Sequence, residues 1–295
     1  MNERSSCRAL APVLLGVACL AFCAVAANAA EALSKQETAR LREMGVKVFG
    51  IRWIGTVHAA RERGVVAVTD GTTTLTQRGA RTFIIHDKKA TAAGDGKAFA
   101  GSDDELKKRG IRILEAIGAK SSEVLEARVL QQMTQALYQE PGREGKLQPA
   151  RRGRRTLLVT RQVDGVRVLS SRLLLDLGAN GRIVFMELTW PEISKETVET
   201  ARRLQEVSKR EFKPPAMEAA TVESVQPVLL HSPAVGFFDD QVAALQVIYK
   251  PERPEVGKKP VRYIDAEGRD VKLPRQMEPL KEEPVQRKGA AASER

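Results

Sequence analysis

The sequence predicts an α+β fold made of two helix-plus-antiparallel-sheet units that follow an N-terminal β-rich lobe. The first observation is a three-stranded antiparallel meander over residues 156–190, where three runs rich in Val, Leu and Ile are separated by turn signals. The second is that a helix signal followed by strand signals occurs twice, once from Ser102 and again from Ser194. Two related units of this kind would pack side by side or share one sheet.

Two short turn signals define the meander. Asp164-Gly165 is the dipeptide that a type I′ turn requires, because both of its central residues have a positive φ. The segment 178–181, Gly-Ala-Asn-Gly, has the same role one strand later. We therefore assign Asp164 and Gly165 a structural role, which is to set the register of the first hairpin.

The same stretch carries a family resemblance. The residues concerned are Val163-Asp164-Gly165-Val166-Arg167-Val168, Ser170-Ser171, Leu173 to Leu177, Asn180-Gly181-Arg182-Ile183-Val184 and Trp190, with a second echo at Tyr263-Ile264-Asp265-Ala266-Glu267-Gly268. Over residues 102–271 this pattern resembles the fungalysin/thermolysin propeptide and PepSY modules, here without an attached peptidase domain. The resemblance implies a helix-plus-sheet scaffold that binds or restrains a peptidase.

Residues 1–29 have the composition of a secretory signal peptide. Arg4 and Arg8 supply a positive region, residues 9–25 a short apolar core, and Ala27-Asn28-Ala29 a small-x-small cleavage site that ends at Ala29. The apolar run is shorter than the roughly 20 residues that a membrane-spanning helix needs. We therefore expect an extracytoplasmic protein, either periplasmic or secreted.

All three cysteines, Cys7, Cys19 and Cys23, lie inside this segment. The mature chain is therefore expected to have no disulfide, no thiolate nucleophile and no cysteine metal site. A lipoprotein attached through Cys19 is the alternative, since small residues precede that cysteine. It ranks second because the large aliphatic residue expected three positions earlier is missing.

The chain is strongly basic, with 48 Lys and Arg against 37 Asp and Glu, a net charge of +11. Removing Glu3, Arg4 and Arg8 with the signal peptide takes away a net +1 and leaves +10. A basic balance suits an acidic partner, an anionic envelope surface or nucleic acid. For an exported chain without aromatics between its basic residues, we expect no nucleic acid.

Residues 30–101 are predicted to form the β-rich lobe and a linker, and whether they form a separate domain stays open. Ser34 can cap a helix that Gly45 ends, and strands are expected at residues 46–54, 64–68, 72–76 and 81–85. Residues 87–101 change to Lys, Ala, Gly, Asp and Thr, the composition of a connector.

The two α+β units are assigned to residues 102–192 and 193–272, and a disordered tail to 273–295. Ser102 and Glu105 form a capping-box signal for the first helix. Residues 124–137 fit a helical stripe, which we prefer, whereas the family pattern prefers a strand there. In the second unit, strands are expected at residues 221–230, 241–249 and 261–265.

Signatures of catalysis are not found. The sequence has no His-Glu-x-x-His pair, no Gly-x-Ser-x-Gly elbow and no phosphate-binding loop, and its three histidines are far apart. We predict no catalytic, cofactor-binding or metal residues. The basic run Arg151, Arg152, Arg154 and Arg155 is a candidate anion-binding patch or protease-sensitive site, although the interpretation we prefer is a solvated loop that leads into a strand.

The expected function is therefore that of an exported, non-catalytic module that binds a protein partner, which the sequence does not identify. A peptidase is the partner that the family resemblance implies. Two alternatives stay open: a hydrolase whose site is assembled from dispersed residues, and an envelope-associated structural protein that binds anionic surfaces.

Overall fold

The computed structural model describes residues 33–62, 64–89, 99–134, 137–138, 146–147, 151–210, 212–231, 241–252 and 259–271. The helices in these ranges are α1 (Lys35–Lys47), α2 (Asp103–Ala116) and α3 (Lys195–Arg210), with a 3-10 turn at Ser121–Glu123. The strands are β1 (His58–Glu62), β2 (Val65–Thr69), β3 (Thr73–Arg78), β4 (Thr82–Asp87), β5 (Val124–Thr134), β6 (Leu137–Tyr138), β7 (Lys146–Leu147), β8 (Arg151–Val163), β9 (Val166–Leu177), β10 (Ile183–Thr189), β11 (Ala220–His231), β12 (Gln241–Pro251) and β13 (Val261–Ile264). The predicted signal peptide with Ala29, and the predicted tail 273–295, lie outside the described residues.

One mixed sheet dominates the fold. Its 11 strands follow the order β1-β2-β3-β4-β10-β9-β11-β12-β13, and β8 also pairs with β9 and carries β5 on its other side. All of these pairings are antiparallel except β9 with β11, where two residue pairs run parallel. Strands β6 and β7 form a separate two-stranded ribbon.

The predicted division into two helix-plus-sheet units and an N-terminal lobe is wrong. The four N-terminal strands continue the main sheet because β4 pairs with β10 along five residues. The would-be second unit joins the same sheet through β11 and β9. Strand β9 belongs to both halves, so the architecture is one large sheet with helices packed on it.

The meander over residues 156–190 is confirmed. Strands β8, β9 and β10 follow one another as antiparallel neighbours. Asp164 and Gly165 have φ values of 50° and 80°, the two positive angles that a type I′ turn needs. Gly181, with a φ of 73°, belongs to the turn between β9 and β10.

Two local predictions fail. The preferred helix at residues 124–137 is instead strand β5, which pairs with β8 over its whole length. The strand expected at residues 46–54 is absent because α1 continues to Lys47. The chain then turns at Gly50, whose φ is 68°, and the N–H of Ile51 donates a hydrogen bond to the carbonyl of Gly45 at 2.8 Å.

The helices are capped as their sequences predict. Ser34 and Ser102 each form a capping box, in which the serine side chain accepts from the N3 amide and the N3 glutamate accepts from the serine amide. Ser194 accepts a hydrogen bond from the Thr197 amide at 3.1 Å. These caps satisfy amides that the first helical turn would otherwise leave without partners.

The sheet carries two main apolar clusters. The α2 cluster includes Leu114 of α2 with Leu157, Leu173 and Trp190, all of which are buried. The α3 cluster includes Leu204 of α3 with buried residues of β9, β11 and β12: Val166, Val168, Leu229, Leu245, Val247 and Tyr249. Strand β9 therefore contributes side chains to both clusters.

Candidate protein-interaction edge

Strand β5 is a long, open edge of the sheet. It has 11 residues, and its pairing with β8 runs from Val124 opposite Arg161 to Thr134 opposite Arg151. Among the strands that the structure describes, none pairs with its other side. The outward-facing amides and carbonyls of such an edge can pair with another chain.

The two faces of β5 differ. Val124, Ala127 and Val129 are half-buried and pack against the α2 cluster. On the other face Glu126 and Arg128 are exposed, and Leu130 is 39% exposed. The first face stays only half-covered because the sheet ends there.

Strand β5 has few of the sequence features that usually prevent an edge strand from pairing with another chain. Its sequence, VLEARVLQQMT, contains no Lys, Pro or Gly, and only two of its residues are charged. Irregularities occur between Val124 and Glu126 and between Gln131 and Met133. Bulges of this kind limit edge pairing, so the regular stretch available to a partner is residues 126–131.

The other two edges of the sheet are less accessible. Strand β1 has five residues, and its Arg61 forms an ion pair with Glu37 of α1 at 2.6 Å. Strand β13 has four residues, and the chain folds back along it, since the Val271 amide donates to the Tyr263 carbonyl at 2.7 Å. Within the described residues, β5 is therefore the edge best suited to an added strand.

The predicted basic run lies at the start of β8, next to this edge. The Arg155 guanidinium forms an ion pair with Asp103 at 2.8 Å and donates to the Phe99 carbonyl at 2.6 Å and to the Gly101 carbonyl. Arg155 therefore fixes the segment that leads into α2. The side chains of Arg151 and Arg152 lie outside the described residues.

Arg154 projects to the opposite face of β8 from Arg155 and lies close to two titratable groups. Burial raises the pKa of Asp176, while a hydrogen bond from Thr156 and the charge of Arg154 act to lower it. Burial lowers the pKa of His86, and the charges of Lys88 and Arg154 act in the same direction. The patch that the sequence suggests is thus divided between two faces of the sheet.

Asp176 and His86 do not form an acid–base pair. Each lies opposite Phe185 of β10, Asp176 on one side and His86 on the other, so a whole strand separates them. The Oδ1 atom of Asp176 is buried and has no hydrogen-bond partner. This environment favours the protonated carboxylic acid.

A buried ion pair that sequence reasoning missed lies at the other end of β8. The Arg161 guanidinium pairs with Glu123 at 2.7 Å, donates to the Pro191 carbonyl at 2.6 Å and lies 5.1 Å from the ring centroid of Trp190. The Trp190 indole donates to the same Glu123 carboxylate at 3.0 Å. The alternating pattern of β8 could have indicated this burial. Arg161 lies two residues after Val159 and four after Leu157, so it belongs to the same inward-facing set of side chains.

No catalytic or metal constellation is found in the part of the chain that the structure describes. Its histidines lie on three strands, β1, β4 and β11, and no group of three or more His, Cys, Asp or Glu side chains there could hold a metal ion. None of the helices in the described ranges has the length and apolar character needed to cross a bilayer.

Comparison with known proteins adds little. No protein-family model and no curated protein matches the chain. A solved structure of an uncharacterized protein from Eubacterium rectale ATCC 33656 is similar over 82% of this chain and 83% of its own, with 10% sequence identity and a TM-score of 0.45. A likeness at this level carries no argument about function.

Proposed function

We propose that this chain is an exported, non-catalytic interaction module that binds an extended segment of a protein partner alongside β5. The observation that carries the proposal is the open side of this 11-residue edge strand. Strand addition to an exposed edge is a common mode of peptide recognition, in which main-chain hydrogen bonds give affinity and alternate side chains give specificity.

The exposed surface of β5 determines which side chains a bound partner segment can carry. A strand added beside residues 126–131 would place every second side chain over the α2 face, where Ala127 and Val129 are half-buried. Small or medium apolar residues suit those positions because they complete the cover of the α2 cluster. On the other face, opposite Glu126 and Arg128, polar or charged residues fit.

Charge favours an acidic partner. The chain carries a net charge of +11, and opposite net charges raise the rate of association at low ionic strength. A peptidase is the partner that the family resemblance of residues 102–271 implies, and this choice rests on that resemblance alone. Association with an anionic envelope surface is the competing outcome.

The test compares three forms of the mature protein as bait in the exported fraction. The edge variant is Leu125→Lys/Leu130→Lys, which adds two charges to exposed positions of β5. The matched control is Val222→Lys/Val261→Lys, since Val222 is 43% exposed like Leu125, and Val261 is 39% exposed like Leu130. We expect the wild type and the control to retain the same partner and the edge variant to lose it.

Hydrogen exchange then locates the contact. In the purified complex, the outward-facing amides of residues 126–131 should gain protection, while those of β1 and β13 should not. A partner that the edge variant retains, or a complex in which β5 gains no protection, would overturn the proposal. Binding to anionic vesicles by all three forms alike would favour the envelope-surface alternative.

A further inference from the structure

A cleft of about 710 Å³ lies between α1 and the loop at residues 55–57. One face of α1 forms its first wall, and the loop forms the second. Its lining residues are Leu33, Lys35, Thr38, Ala39, Arg42, Glu43, Val46, Lys47, Gly55, Thr56 and Val57. The volume falls in the range typical of small-molecule sites.

The wall opposite α1 is held in place. The Trp53 indole donates to the Arg42 carbonyl at 3.1 Å. The Trp53 ring packs so closely that a Cβ on Gly45 would lie 2.8 Å from it. One residue on, the Ile54 amide donates to the Asp70 carboxylate at 2.6 Å. The cleft therefore exists before any ligand arrives, which reduces the conformational cost of binding.

The Asp70 anchor is strong. Burial raises the pKa of Asp70, but hydrogen bonds from the amides of Ile54, Thr73 and Thr72 outweigh this and lower it overall. The carboxylate is thus the favoured form, and it ties the loop to the turn between β2 and β3. Gly55 follows this anchor with a φ of 86°, which lets the chain turn back along α1.

The lining combines unpaired positive charge with apolar surface. Glu43 is neutralised by Lys47 at 2.5 Å. Among the described residues, the side chains of Lys35 and Arg42 form no ion pair, so they give the lining its net positive charge. Val46 is 51% exposed within the cleft.

The positive and apolar residues of the cleft follow one another along one face of α1. Ala39 lies one turn from both Lys35 and Arg42, and its methyl group leaves room for an anionic group between the two cations. Val46 lies one further turn along the same face, and Val57 of the loop also lines the cleft. An anionic head with an apolar tail matches this series, whereas an inorganic anion leaves the apolar part uncovered.

We propose that this cleft binds a single-chain anionic amphiphile, with its carboxylate between Lys35 and Arg42 and its alkyl chain along Val46 and Val57. This site is separate from the β5 edge and does not depend on the function proposed for it. A long-chain carboxylate is the ligand class that both the charge and the apolar lining recognise.

The experiment is calorimetric titration of the mature protein with laurate below its micelle concentration. We expect saturable binding of one laurate per chain. Butyrate, which has the head without the long tail, and dodecyltrimethylammonium, which has the tail with the opposite charge, should each bind at least roughly tenfold more weakly. If butyrate binds as tightly as laurate, the cleft is a simple anion site. If dodecyltrimethylammonium binds as tightly as laurate, the binding is apolar adsorption. Either result overturns the proposal.

Variants locate the site. Lys35→Gln/Arg42→Gln should weaken laurate binding at least roughly tenfold. The matched control Lys108→Gln/Arg203→Gln, which removes two exposed cations from α2 and α3, should leave binding unchanged. Val46→Asp, at an exposed position, should abolish binding without affecting folding. An equal loss in the control pair, or laurate that binds without saturation, would contradict the assignment.

Discussion

At the residue scale, two buried ionisable side chains, Arg161 and Asp176, lie in opposite environments. Arg161 is 2% exposed, yet the Glu123 carboxylate and the Pro191 carbonyl take up its donors. Burial lowers the pKa of Arg161, but the Glu123 charge opposes this. Asp176 is 6% exposed, and one of its oxygens has no hydrogen-bond partner. A buried polar atom in that condition costs stability.

The pH dependence of stability should reveal this cost. The pKa of Asp176 is raised in the folded protein, so the unfolded chain releases its proton first as pH rises. The contribution of Asp176 to stability is therefore most favourable below the ordinary pKa of aspartate and becomes less favourable as pH rises to the folded value. A pKa difference of one corresponds to about 1.4 kcal/mol. We expect Asp176→Asn to remove this loss and to be at least as stable as the wild type at neutral pH.

Urea unfolding from about pH 4 to about pH 7 measures the effect as the difference between wild type and Asp176→Asn. Thr156→Val serves as the paired variant. It removes the hydrogen bond that lowers the pKa of Asp176, so the loss of stability with rising pH should increase. A difference between wild type and Asp176→Asn that does not change with pH would show that the carboxyl titrates alike in both states.

At the element scale, the sequence predicted hairpins and helix caps well because their signals are local. Asp164-Gly165 and the Ser102–Glu105 box each act within a few residues. Strand β5 was mistaken for a helix because bulges break its alternation. An extra residue at Leu125 puts Val124 and Ala127 on the same face three positions apart, a spacing that also suits a helix.

Gly110 shows how packing can reverse a local preference. From helix propensity alone, Gly110→Ala should stabilise α2 by about 1 kcal/mol. A Cβ at this position would lie 2.2 Å from Cδ2 of Leu157, which is fully buried in the α2 cluster. We expect Gly110→Ala to destabilise the protein by about 1–3 kcal/mol, because the core has no room for the added methyl group.

Thermal and urea unfolding of Gly110→Ala measure this effect, and a second substitution identifies its cause. Leu157→Val shortens the side chain that the new methyl group would strike. The double variant Gly110→Ala/Leu157→Val should therefore be more stable than the sum of the two single changes predicts. Additive effects would mean that the clash with Leu157 is not the cause.

At the scale of the whole molecule, the order of the strands in the sheet could not be predicted from the sequence. The pairing of β4 with β10 joins segments about 100 residues apart, such as Phe83 with Leu188, and no local pattern indicates it. The parallel contact of β11 with β9 rests on only two residue pairs, at Val228 and Leu229. The sequence therefore predicted most strands correctly, but it assigned them to two separate units, whereas they belong to one sheet.

A shared sheet has a consequence for unfolding. Strand β9 carries Leu173 in the α2 cluster and Val168 in the α3 cluster, only five residues apart. Unfolding either half of the sheet would also disrupt β9, on which the other half depends. We therefore expect one cooperative transition, with calorimetric and van't Hoff enthalpies that agree. Two independent units would instead give a calorimetric enthalpy well above the van't Hoff value.

Leu173→Ala tests this coupling directly. Leu173 is fully buried in the α2 cluster, and its truncation should cost about 2–5 kcal/mol. Because α3 packs on the same sheet, the slowest-exchanging amides of β11 and β12 should lose the same free energy of protection as those of β8. Ala201→Gly in α3 is the reciprocal change and should loosen β8 in turn. Protection lost in β8 alone would show that the two halves unfold separately despite the strand that joins them.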